Sequence, residues 1–423
     1  MNNFFTKLGF IMRDAGIRKR IIFTLAALVI FRVLAAIPIP GIDTSRLAAF
    51  FANNEFFGLL NIFSGGGLSN LSLIMLGVGP YITASIIMQL LTIVSPRLKA
   101  LYQEEGEIGR RKFSQYSRML TVPLAAIQGY SFLALLHNQG AIGALSPFAT
   151  VFNVVIIITG SMLLMWIGEL INEFGIGNGV SILIFAGIVA RLPVSISQFA
   201  YTYDPAQLPV YIGILVAVIL VIFGVVVITE AERPIPVTYA KRIRGMKVYG
   251  GVSTYLPLRL NQAGVIPIIF ALSILLFPQM IFQFLSHTNI DWVKTVANHA
   301  LSFLANPWAY SALYFVLVFA FTYFYTAVTF DPNQMSENLQ KGGAFIPGVR
   351  PGQSTSHYVA RILTRLTLFG ASFLGIIAVL PLIIRSLTGI TTFTIGGTAL
   401  LIVVSVVIDL MKKVDAQLSI REY

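Results

Sequence analysis

The chain has 423 residues, of which 56% are hydrophobic and 11% charged, with a mean hydropathy of +0.82 and a formal net charge of +12. These proportions exclude a soluble globular protein of this size and define a polytopic membrane protein. No cysteine is present, which rules out disulfides and thiol catalysis, and the four histidines (His137, His287, His299, His357) lack metal-ligand spacing.

Residues 1–20 are basic and only patchily apolar, without the long apolar core and small-residue cleavage site of a secretory signal. Ten apolar segments long enough to cross a bilayer follow, at 21–37, 71–93, 118–137, 151–171, 179–193, 208–229, 262–286, 308–329, 367–387 and 392–411. The fifth is short. Ahead of the second runs NIFSGGGLSNLSL (61–73). Its three consecutive glycines each cost about 1 kcal/mol relative to alanine inside a helix. By itself the stretch reads as an external loop leading to a helix start at Ser69 or Asn70.

Ten spans place both termini on one side. With residues at span ends counted to the adjoining loops, the tails and loops of that side carry 24 of the 29 Lys and Arg, the opposite loops carry 4, and Arg32 is the one left in a span interior. That asymmetry predicts cytoplasmic termini. Much of the positive charge is then topology and contact with anionic lipid. Two cytoplasmic loops, 230–261 and 330–366, exceed that need: both are long, basic and rich in Gly and Pro. Loops of this kind are usually functional, and a large cytosolic partner, including one that contains RNA, would be met there.

Inside the spans the notable ionisable groups are Arg32, Glu169 and Asp409, the last two near cytoplasmic ends. Glu169 reads as an interfacial residue at a helix end rather than as part of an ion pathway. No nucleophile–base pair, zinc helix or phosphate-binding P-loop is found in the sequence, so no catalytic chemistry and no energy source of its own is expected. Four segments, 78–91, 175–193, 261–278 and 393–410, open with Gly, Pro or Asn and then place Ile or Val at helical spacing. Two sets of five spans would be inverted relative to one another, because five is odd, although the halves show no sequence repeat. A secondary transporter of a small solute and a membrane enzyme or insertase without a continuous pore are the rival classes. The first would show saturable, ion-coupled uptake by the purified chain, and conductance of a variant lacking the glycine stretch would count against the second.

Motifs along essentially the whole chain resemble the SecY family, the large subunits of protein-conducting channels. They are IPIPGID (37–43), NIFSGGGLS (61–69), PYITASIIMQLL (80–91), EGEIGRRKFSQYSR (105–118), GIGNGVSILIFAGIVA (175–190), IPVTYAKR (235–242), STYLPLRLNQAGVIP (253–267), GAFIPGVRPG (343–352), TRLTLFGA (364–371) and GGTALLIVVSVV (396–407). The pattern is bacterial in form. The resemblance implies an all-α membrane protein of ten transmembrane helices, in two inverted five-helix halves around a central pore. The halves would cover 21–193 and 208–411, joined by an external hinge loop at 194–207 and followed by a cytoplasmic tail at 412–423.

It further implies a re-entrant plug at about 56–70, with Ile62, Phe63, Ser64, Gly65, Gly66, Gly67 and Leu68 at its heart. Such a segment is tolerated where protein or a water-filled cavity surrounds it. An aliphatic pore ring would comprise Val78, Ile82, Val180, Ile184, Ile269 and Ile402. Such a constriction resists ions by dewetting and yields around varied side chains. A lateral gate between spans 2–3 and 7–8 would present Thr83, Gln89, Asn261 and Gln262. Hydrogen bonds across it would average about 0.6 kcal/mol each. Asn261 equally fits a helix cap, and the two roles can coexist. Lys241, Arg242, Arg244, Lys247 and Arg350 would dock partners. The implied partners are the small subunits SecE and SecG, the SecA motor, the ribosome, signal peptides and nascent chains, and anionic lipid. No cofactor is implied, and the location is the cytoplasmic membrane.

Overall fold

The computed structural model describes residues 14–419 apart from 41–63, 65, 69, 139, 141, 144–145, 191, 195–196, 198–204, 206–207, 240–241, 245–246, 250–252, 287, 289 and 389–396; at 242–244 and 247–249 only the backbone is described. The chain divides into two compact units, Met1–Asp204 with Ser273–Asn306 and Val406–Tyr423, and Pro205–Leu272 with Pro307–Ser405.

In the first unit α1 (Ala15–Ala36) starts at Asp14, whose carboxylate accepts from the Gly16 and Ile17 amides at 2.7 and 2.9 Å and so satisfies two otherwise orphaned donors. Residues 37–39 leave α1 extended and pair with 71–73, through Ile39 N–H to Leu71 O at 2.8 Å and Leu73 N–H to Ile37 O at 3.0 Å. The second apolar segment, expected to be helical from 71, is a chain of turns as far as Val78, and α2 begins only at Gly79 (Gly79–Val94). Leu71 (φ 39°), Gly66 (φ 89°) and Gly77 (φ 58°) have left-handed backbones that a continuous right-handed helix cannot contain.

At Ser95 the chain bends by 114° into α3 (Pro96–Gln103), which packs on α4 (Gly106–Asn138). α4 and α5 (Pro147–Phe174) lie side by side, close enough that a Cβ on Gly129 would stand 3.1 Å from Ile157 Cγ2. The GIGNG stretch is the turn between α5 and α6 (Gly179–Val189). Gly177 takes a φ of 92°, and Asn172 and Asn178 accept from the Gly179 and Ser181 amides at 2.8 and 3.2 Å. A Cβ on Gly179 would occupy the place of the Gly168 carbonyl, so only glycine lets this hairpin close. α8 (Ile266–Leu285, starting in the second unit), α9 (Asp291–Ala305) and the end of α13 (Gly397–Ser419) complete the unit. The spans did not announce α9, which is too short and too polar to have been read as one.

In the second unit α7 (Leu208–Glu230) is apolar all round and largely exposed, as a lipid-facing helix must be. α10 (Pro307–Thr329) packs on α12 (Gln353–Thr388), where a Cβ on Gly375 would meet the Phe315 ring at 2.7 Å. Between these helices the two long basic loops fold together. β1 (Glu232–Tyr239) runs antiparallel to β4 (Ser253–Arg259) with Ile235 opposite Leu256, and its far edge takes β5 (Ala344–Phe345), giving the order β4-β1-β5. β2 (Arg242–Arg244) and β3 (Lys247–Tyr249) form a separate hairpin. The all-α expectation is thus modified by two small sheets. The core under the three-stranded sheet is Ile235, Val237, Leu258, Ala344, Ile346, Val359, Ile362 and Leu363, with α11 (Pro332–Lys341) packed beside it through Met335 and Leu339.

Every expected span contains a described helix. Among the described residues five helices are long and apolar enough to cross a membrane, or six if the bent pair α2–α3 counts as one span.

Candidate channel elements

The glycine stretch is built into the first unit. Ser64 (0% exposed) and Leu68 (1%) are buried, with the Ser64 hydroxyl accepting from the Leu68 amide at 3.0 Å. Leu68, Leu71, Met75 and Leu76 join one apolar cluster with Ile39, Ile142, Ile157 and the α4 residues Phe132, Leu133, Leu135 and Leu136. Each described glycine has its own reason. Gly66 supplies a positive φ in open space. Gly67 supplies closeness: a Cβ there would stand 2.6 Å from Ser72 Oγ and 3.1 Å from the Ser64 carbonyl oxygen. On the facing helix a Cβ at Gly160 would collide with the Leu73 carbonyl. These glycines therefore permit tight seating as well as disfavouring helix. Ile62, Phe63 and Gly65 lie outside the described residues.

The six aliphatic ring residues occupy the opening turns of four helices. Val78 is the N-cap of α2 and Ile82 lies one turn on, its amide donating to Val78 O at 3.0 Å. Val180 and Ile184 hold the same relation at the start of α6. Ile269 is in the first turn of α8, and Ile402 in the second turn of α13. Val78, Ile82, Ile184, Ile269 and Ile402 are all at most 7% exposed, and Val180 is half-buried against Gly168. The first four belong to one unit and the last two to the other.

Three of the four polar gate candidates have an unusual property in common. Gln89 Oε1, Asn261 Oδ1 and Gln262 Nε2 are buried without a hydrogen-bond partner. A buried amide atom left so costs about 1–3 kcal/mol, so each is primed to accept a partner. Asn261 does not cap α8: its Nδ2 donates to the Gly264 carbonyl at 3.2 Å and its oxygen accepts nothing. Thr83 turns its hydroxyl back on the Gly79 carbonyl at 3.0 Å.

Arg350 is exposed at the tip of a turn bounded by Gly348 (φ 81°) and Gly352 (φ 95°), and its carbonyl accepts from the Thr355 hydroxyl at 2.9 Å. Ser336 donates to Gly352 O at 2.7 Å and Ser356 to Asn333 Oδ1 at 2.6 Å, tying the tip to α11 and α12. Arg242, Arg244 and Lys247 lie on the β2–β3 hairpin, with Arg244 opposite Lys247. Lys241 lies outside the described residues. Of the ionisable span residues, Asp409 pairs along its own helix with Lys413 at 3.1 Å. Glu169 does more than mark a helix end: its Oε1 lies 2.6 Å from Arg118 Nε, joining α5 to α4. No spacing or periodicity could have paired residues on different helices.

These elements, namely a turn-built segment buried beside long apolar helices, aliphatic helix starts and a small sheet domain built from the two basic loops, define a helical protein with several helices long and apolar enough to cross a membrane. The fold matches solved protein-conducting channels. One structure of a protein-conducting channel aligns over 96% of this chain and 93% of that chain, at a TM-score of 0.67 and 21% identity. Sec61 in the canine ribosome–channel complex from the endoplasmic reticulum aligns at 0.63 and 19% over the same shares. A SecY channel studied for the plug domain that stabilises its closed state and maintains a membrane seal aligns at 0.64 and 20%, again over 96% and 93%. The sequence profile of the SecY family covers residues 72–411. The protein translocase subunits SecY of Corynebacterium glutamicum and Mycobacterium leprae are 41% and 42% identical over 97% of this chain and 97% of their own. The chain belongs to the SecY family of protein translocase subunits.

Proposed function

We propose that the chain is the central subunit of a protein-conducting channel in the cytoplasmic membrane. It passes unfolded secretory polypeptides outward and releases transmembrane segments sideways into lipid. Ten spans in two inverted halves enclose the pore, with both termini cytoplasmic. The observation that carries the reading is that the described residues of 64–76 lie outside any helix, with most of them buried and Leu68, Leu71, Met75 and Leu76 in one apolar cluster. A segment held by side-chain packing and a few backbone hydrogen bonds, rather than by a helix, can leave without unwinding a span. This supports a plug at about 56–70, running into the second span and lying over a waist made by the six aliphatic side chains. The partnerless amides of Gln89, Asn261 and Gln262 support a polar seam at the lateral gate, where donor and acceptor atoms would complete one another when shut. The domain formed by the two basic loops supports docking of SecA or the ribosome, with Arg350 at its tip, while SecE and SecG complete the assembly. With no P-loop in the sequence, the docked partner supplies the energy.

The test is single-channel conductance in planar bilayers, with the channel reconstituted with its small subunits. The native chain should be quiet and a chain lacking residues 61–70 should leak. Equal silence in that deletion and in a variant with both Ile82→Ser and Ile184→Ser would remove the pore from the reading.

A further inference from the structure

α4 is held in two different ways along its length. Near its start the grip is polar and close-fitting. The Tyr102 and Phe113 rings lie 4.9 Å apart, bracing α3 against α4. About a turn on, Arg118 meets Glu169 of α5 at 2.6 Å, with side chains 42% and 20% exposed. Tyr81 of α2 lies within electrostatic reach of both Arg118 and Glu169. Three helices thus meet at one partly desolvated charge pair, where attraction is less screened than at an open surface. The contact is an ion pair rather than an aligned hydrogen bond, since Arg118 Nε has no hydrogen-bond partner, and it ties the helices through charge attraction.

The far end of α4 is held differently. Phe132, Leu133, Leu135 and Leu136 touch the 68–76 segment and its apolar neighbours. Those contacts are non-directional and tolerate sliding. Between the two regions stands Pro123. It has no amide to donate to the Met119 carbonyl, so α4 bends most easily there.

We propose that Arg118–Glu169 is the fixed end of a lever. When the plug departs and takes Leu68 out of the apolar cluster, the apolar end of α4 swings about Pro123, while the ion pair keeps the other end registered against α5 and α2. The two residues touch no substrate; they are positioning residues for the wall of the gate. This rests on the reading that α2 and α4 form one wall of the lateral gate.

The experiment uses the complete channel with its small subunits in proteoliposomes, driven by purified SecA. The substrate carries a guest segment of graded hydrophobicity. The readout is the ratio of segment released into lipid to segment fully translocated, which a uniform loss of folded channel leaves unchanged. Arg118→Glu and Glu169→Arg should each shift the ratio about fivefold, the factor corresponding to about 1 kcal/mol. The double exchange should return it to within about twofold of the native value. If either reversal does not accumulate, Arg118→Gln and Glu169→Gln replace them, with the double exchange still restoring the ratio. Gln89→Leu tests the gate itself. Should Gln89→Leu move the ratio while the pair variants do not, or should the double exchange be no better than either single, the lever is overturned and the gate stands. Should none of them move it, the gate reading falls and the lever with it.

Discussion

Leu68→Ala offers a quantitative test of the plug. Leu68 is 1% exposed, and its neighbours Leu71, Phe132 and Leu136 are each fully buried. Truncation removes buried carbons and leaves a cavity, a change that costs about 2–5 kcal/mol in a packed core. One side of this cluster is a run of turns rather than a helix, so partial collapse is easy, and the lower part of that range applies. A loss of about 2–3 kcal/mol weakens the seated state roughly 30- to 150-fold. The channel, reconstituted with its small subunits in planar bilayers, should then open at rest far more often than the native protein. Ile22→Ala, at a position 57% exposed on α1, is the matched control and should change nothing. A Leu68→Ala channel that reconstitutes normally and stays as quiet as the native one would refute the argument, because contacts this buried would then contribute nothing to the seal.

Two further outcomes are expected. Arg350→Glu, on an exposed tip whose fold rests on backbone contacts, should slow SecA-driven translocation at least about tenfold, as loss of a charge-assisted contact would. The amount of channel in the membrane should stay unchanged, and normal translocation in proteoliposomes would remove Arg350 from the docking surface. Ile82→Ser together with Ile184→Ser should raise resting ion leak by wetting the constriction, which a voltage-clamped bilayer reads directly. Unchanged leak would dismiss these positions as lining.

Hydropathy and charge carry the long-axis organisation of this protein on their own. Lipid demands about 20 apolar residues per crossing whatever the neighbours, so the helices at 208–230 and 307–329 lie almost where the sequence puts them. The GIGNG turn is legible for a similar reason: tight turns are local, and glycine is the local answer. Hydropathy misled at 71–78, where an apolar run is a chain of turns because pairing with 37–39 and burial against α4 and α5 outweigh helix propensity. Nor could the sequence show that the two basic loops are one domain. The pairing of Thr238 with Phe345 and the meeting of Arg118 with Glu169 are decided by how helices and strands come to lie side by side. Periodicity records which face of an element is apolar, but not which distant element will cover it. The roles of Gly67 and Gly160 likewise exist only once Ser72 and Leu73 stand opposite them, so their necessity belongs to tertiary packing.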